Sequence, residues 1–219
     1  MLQIKKIARL GIFMGAVGLA SNSMAFGLGS LPGLGGGGGG SSSNVDTTAL
    51  LNTSNAVIGG FGKAFKRFSE ALGLKDESGV YDEMANCSSQ GCDISGDRLE
   101  EAAAQSESMG AQLDKLKADG VQLDAAAKAK FASGMKPYLF STIKGVKLIT
   151  DLPKSKDAVQ SKMKSNPFGA LGELKSLLTL VSKLPPMIES FSGASGKIWD
   201  FATYQGLEKP SEEEAASEE

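Results

Sequence analysis

The chain predicts an all-α protein: an antiparallel bundle of about four long helices plus a short extra helix, with a flexible Gly-rich N-terminal tether and a disordered acidic C-terminal tail. Three observations predict it. In the 168–184 stretch, Leu171, Leu174, Leu178 and Val181 recur at alternating steps of three and four, and Leu177 and Leu184 widen the stripe. Lys175, Ser176, Ser182 and Lys183 fall mostly on the other side, so one face of this helix must be buried. Other segments repeat the same spacing, and no stretch alternates with period two for long enough to form a sheet.

Both ends lie outside the predicted fold. Residues 1–25 read as a secretory signal peptide: Lys5, Lys6 and Arg9 form a positive start, residues 10–20 are an apolar run, and Ser23 and Ala25 supply the small residues a signal peptidase reads. Cleavage before Phe26 is expected. The apolar run is too short to span about 30 Å of hydrocarbon, and no Cys follows the cleavage site to carry a lipid. Residues 26–44, rich in Gly and Ser, form a flexible linker. The bundle domain is assigned to 45–207. The acidic tail, 208–219, carries Glu212, Glu213, Glu214, Glu218 and Glu219 and is too polar to fold alone.

The helices follow in order. Asp46 caps the first, whose seam is Leu51, Ser54, Ile58, Phe61, Phe65, Phe68 and Leu72, with Gly73 as its stop. Gly59, Gly60 and Gly62 interrupt it. Each costs about 1 kcal/mol of helix propensity relative to Ala, so close approach of a neighbouring helix is expected to offset them. Residues 75–96 read as a polar, acidic loop. A second helix spans about 97–118, with Asp97 and Glu100 resembling a capping box and Leu99, Ala102, Ser106, Met109, Leu113 and Leu116 as its seam. Asp119-Gly120 marks a turn and Asp124 caps the third helix. Pro137 is expected to kink or break that helix, and 151–153 to end it. A short helix around Val159 and Met163 precedes the Leu-rich helix, which Pro185-Pro186 should stop. The last helix carries Ile188, Phe191, Ser195, Ile198 and Ala202.

The composition removes several classes of chemistry. There is no His, which excludes the usual general base, the Ser-His and Cys-His nucleophile pairs and the commonest metal ligand. The two cysteines, Cys87 and Cys92, sit close together in CSSQGC. In an exported chain they are expected to form a small structural disulfide. Asp93, Ser95 and Asp97 fail as a calcium loop, because the sixth position is Arg98 and the twelfth Ala104. No catalytic residue, cofactor or metal is expected, and the chain is read as a non-enzyme. Removal of 1–25 takes the net charge from −2 to −5, which argues against nucleic acid as a partner. The charge is split: 70–124 is acidic, and 125–183 carries 11 Lys against Asp151, Asp157 and Glu173.

The expected role is binding in the cell envelope, most simply in the periplasm of a Gram-negative bacterium. The partner would be a hydrophobic or lipidic ligand held between helices, or an envelope protein docked on a helix face. Phe61, Phe65, Tyr138, Phe140, Ile143, Leu177 and Leu180 are the candidates for an apolar pocket, with Lys144 and Lys147 to receive an anionic group. Two alternatives remain: an assembly protein with a packed core and no ligand, and a secreted helical protein that inserts into membranes through 138–152. The mature chain is not expected to span a membrane.

Overall fold

A computed structural model describes residues 47–74, 78–87, 91–92, 94–165 and 171–216. At 47, 151–165, 171–179 and 181 it describes the backbone alone. The signal peptide, the linker and the last three residues assigned above lie outside the described residues. The elements are α1 (Thr47–Leu72), α2 (Val80–Ala85), α3 (Gly96–Ala118), α4 (Ala125–Ser165), α5 (Leu171–Gly193), α6 (Ser195–Tyr204) and α7 (Glu212–Ala216). The protein is all-α, with four long helices and shorter ones. Among the described residues, no helix is long and apolar enough to cross a membrane.

The glycines of α1 set how its neighbours lie. A Cβ on Gly59 would collide with the Cys87 carbonyl oxygen, and one on Gly62 with the backbone of Met84 and Ala85. Bare Cα atoms thus let α2 run back along α1 in backbone contact. On another side of α1, a Cβ on Gly60 would strike Ser141 Oγ of α4, and one on Gly134 of α4 would stand 2.9 Å from the Ala64 carbonyl oxygen. Close packing, rather than a bend, accounts for the interrupted propensity of this helix. The register runs antiparallel, with Phe68 against Phe131, Phe61 against Tyr138 and Gly60 against Ser141.

Not every neighbour is antiparallel. Glu100 pairs with Lys183, Glu107 accepts from Ser190, and Asp114 pairs with Lys197, so α3 runs parallel to α5 and α6. The chain returns from the end of α1 through the crossover that carries α2, a helix within the stretch whose polar composition predicts only a loop. Arg98 locks that crossover. Its guanidinium donates to both oxygens of Glu83 at 2.8 and 2.6 Å, to the Ser78 carbonyl at 2.7 Å, and to Glu101. This bidentate pairing holds the Glu83 carboxyl below the usual range and the guanidinium above its own. Cys87 and Cys92 are disulfide-bonded, with Cα atoms 4.4 Å apart. The Cys87 carbonyl of this pair lies against Gly59 of α1.

The prolines do not act as expected. Helix α4 continues through Pro137 and Pro153, and α5 continues through Pro185 and Pro186 to Gly193. An interior proline costs about 3 kcal/mol or more, but the apolar phase passes unbroken across Pro137 and across Pro185-Pro186. Gly134, Tyr138, Ser141 and Leu148 keep α4 seated on α1 and α5, while Leu184, Met187, Ile188 and Phe191 are buried on α5. The short helix expected near Val159 is therefore the end of α4. The last expected helix divides instead at Ala194, between α5 and α6. Other local signals hold: Gly73 and Gly120 take left-handed φ of 66° and 70°, and Asp124 Oδ1 accepts from the Ala127 amide at 2.8 Å. The α3 cap is Ser95, which accepts from the Arg98 amide, rather than Asp97.

Buried Gln205 ties the α3–α4 turn to the end of α6. Its side chain accepts from Leu123 N and donates to the Val121 carbonyl, each at 2.9 Å, and Lys128 donates to its own carbonyl at 2.6 Å. The two kinds of helical glycine should respond oppositely to one substitution. Gly62→Ala should lower stability by about 1–3 kcal/mol through overpacking, against its better propensity. Gly196→Ala, with no atom within 4 Å of the new Cβ, should raise stability by about 0.4–1 kcal/mol. Urea unfolding of both variants measures the contrast.

Candidate binding surface

The residues expected to line one pocket separate into two places. Phe61, Phe65 and Tyr138 enter the main core, where they interlock with Phe191. Ring centroids lie 4.8 Å apart for Phe61–Phe191, 4.5 Å for Phe65–Phe191 and 5.9 Å for both Phe61–Tyr138 and Phe65–Tyr138. Edge-on and tilted rings at these separations are the preferred aromatic arrangement. Leu180 is buried in the same core. The Leu177 side chain lies outside the described residues.

Tyr138 is the polar centre of this core. Its hydroxyl donates to the Phe191 carbonyl at 2.6 Å and shares a hydrogen bond with Ser195 Oγ at 2.7 Å, across the break between α5 and α6. Burial pushes the phenol well above its ordinary value, with the Ser195 hydrogen bond opposing in part. The phenol is therefore held in its neutral form. Tyr138→Phe should cost about 1–2 kcal/mol by leaving the buried Phe191 carbonyl without this donor and the Ser195 hydroxyl without this partner, measured as a shift in the urea midpoint with the slope unchanged.

The other expected residues, Phe140, Ile143, Lys144 and Lys147, sit elsewhere on α4. Phe140 and Leu139 form a second, smaller apolar cluster with Ala215 of α7, and Ile143 and Trp199 pack against it. Lys144 Nζ stands 5.2 Å from the Phe140 ring centroid, and Lys209 Nζ 5.1 Å from that of Trp199, each in cation–π range. Lys147 is exposed beyond Ile143, beside Val146, the one exposed large apolar side chain among the described residues. Lys136, Phe140, Ile143 and Lys147 follow one another at helical spacing. The face therefore combines apolar side chains with a basic rim.

The acidic tail is not disordered throughout. Ser211 and Glu214 form a reciprocal capping box: Ser211 N donates to Glu214 Oε2 at 2.8 Å and Glu214 N to Ser211 Oγ at 3.1 Å. That pairing starts α7 and drops Ala215 onto Leu139 and Phe140. Burial of the alanine, together with a satisfied cap, orders a segment whose composition alone predicts no fold. The Ser-x-x-Glu spacing was visible in the sequence. Trp199, Ala215 and Lys209 had no such signal, because only folding brings α6 and α7 to α4.

Among the described residues, no group of His, Cys, Asp or Glu is placed to hold a metal ion. Comparison with protein-family models, with curated proteins and with solved structures found no match. The Ser211 amide, Lys136 and the Ser211 hydroxyl together hold the Glu214 carboxyl below its ordinary value of 4.5. A depressed carboxyl contributes stability that is fully present above that value and is lost as pH falls through the lowered one. Acidification below about pH 4.5 should therefore loosen α7. Emission from Trp199, the single tryptophan, measures this, and Glu214→Gln should remove that part of the pH response.

Proposed function

We propose that this chain is an exported, non-enzymatic binding protein of the cell envelope, and that it docks a protein partner on the α4 face of Phe140, Ile143, Lys144 and Lys147. The observation that carries this reading is the division of the expected site. Phe61, Phe65, Tyr138 and Leu180 fill the main core, whereas Phe140 and Ile143 belong to a second, smaller cluster on α4 with Lys144 and Lys147 beside it. Aromatic rings in mutual contact favour docking over a ligand enclosed by Phe61 and Phe65. An apolar centre with a basic rim suits a partner segment that is acidic and partly apolar. Residues 1–25 would direct export, with the periplasm as the compartment.

A photo-crosslinking residue at Val146, expressed in cells with the full chain, tests the reading. A discrete protein adduct that disappears with Ile143→Asp and with Lys147→Glu, while the melting temperature is kept, is the expected result. Native mass spectrometry of the mature chain without detergent separates the alternatives. A solvent-extractable added mass in place of an adduct would move the function to a lipidic ligand.

A further inference from the structure

Resting on the α4 face as a docking surface, we infer that α7 is an internal occupant of that surface. It competes with a partner segment of the same chemistry: a short acidic helix with a larger apolar residue where this chain has Ala215. The strap and its seat carry complementary features. Ser211 and Glu214 cap the helix, Lys136 on α4 attracts Glu214, and Ala215 is the only residue of α7 that is buried, at 1% exposure. Glu212, Glu213 and Ala216 face outward.

The hold is weak by construction. Five residues are far fewer than the roughly 12–15 an isolated helix needs to persist in water. The one buried side chain that α7 sets on Leu139 and Phe140 is a single methyl group. The connection from α6, residues 205–211, includes Gly206 at φ 74°, and Glu208 and Lys209 are exposed. The strap can therefore leave without disturbing Gln205, which anchors the end of α6 in the main body. Lys136 and Lys144, both on α4, stay beside the vacated patch. An incoming acidic helix meets Lys136, the cation that attracts Glu214, and a longer apolar side chain buries more surface than Ala215 does. Docking then requires release of the strap, and the apparent affinity falls by the fraction of chains in which the strap is closed.

The test uses the full mature chain and a synthetic peptide of residues 208–219 carrying Ala215→Leu. Binding is read from Trp199 emission and by calorimetry, in three forms of the protein: unchanged, Ala215→Asp and Ala215→Leu. A carboxylate at 215 cannot stay buried on Phe140, so the first variant opens the strap, whereas leucine strengthens its hold. Affinity should rise by about tenfold in Ala215→Asp if the strap is closed in about nine chains of ten, and should fall below the unchanged protein in Ala215→Leu. Lys136→Glu in the opened variant should weaken the peptide, and a scrambled peptide of the same composition should bind less well. Equal affinity in the three forms would overturn the competition while leaving the docking surface standing. Absence of binding even to Ala215→Asp, with its melting temperature kept, would overturn the surface as well. Equal binding of the scrambled peptide would overturn the assigned partner chemistry.

Discussion

The bare seam of α1 is the constraint on which the rest of the structure depends. Gly59 and Gly62 bring the α2 crossover into backbone contact on one side, and Gly60 brings α4 up to Ser141 on another. Their unfavourable helix propensity is offset by what the approach permits: α2 and α4 both close over one row of phenylalanines, Phe61, Phe65 and Phe68. Ring contacts then pass from α1 to Tyr81 of α2, to Phe131 and Tyr138 of α4, and to Phe191 of α5. A side chain at those glycines would part the backbones and open the aromatic row to water.

Helix directions follow from the same crossover. Because α2 doubles back along α1, α3 can set out in the direction of α5 and α6 rather than against it. Parallel neighbours place Glu100, Glu107 and Asp114 beside Lys183, Ser190 and Lys197 in turn. Part of the charge division between the two halves of the chain is used in this way, inside the fold, in pairs exposed enough to contribute little stability each. The lysines on the outer face of α4 belong to a different environment. They lie around an apolar patch that the chain covers with its own acidic segment.

The candidate site was half legible. Phe140, Ile143, Lys144 and Lys147 stood out as an apolar and basic excess on one helix beyond what one buried stripe requires, and in the fold Phe140 is buried beneath α7, Ile143 and Lys144 are half-buried and Lys147 is exposed. Phe61, Phe65 and Tyr138 looked the same in sequence, because a pattern of period 3.6 reports that a side is apolar without reporting what fills the space opposite. Phe191 fills it. The order of the tail is hidden from the sequence for a related reason: Glu212 to Glu214 are too polar to order themselves, and Ala215 becomes informative only beside Leu139 and Phe140.

By itself, the sequence determined the helical class, the turns at Gly73 and Gly120, the Asp124 cap and the pairing of Cys87 with Cys92. Each of these is set by neighbours within a few residues. Tertiary structure alone decided that α4 and α5 run through their prolines, that α3 lies parallel to α5, and that α7 settles on α4. Those outcomes depend on burial between segments far apart in the chain, and burial is large enough to override a missing backbone donor or a polar composition.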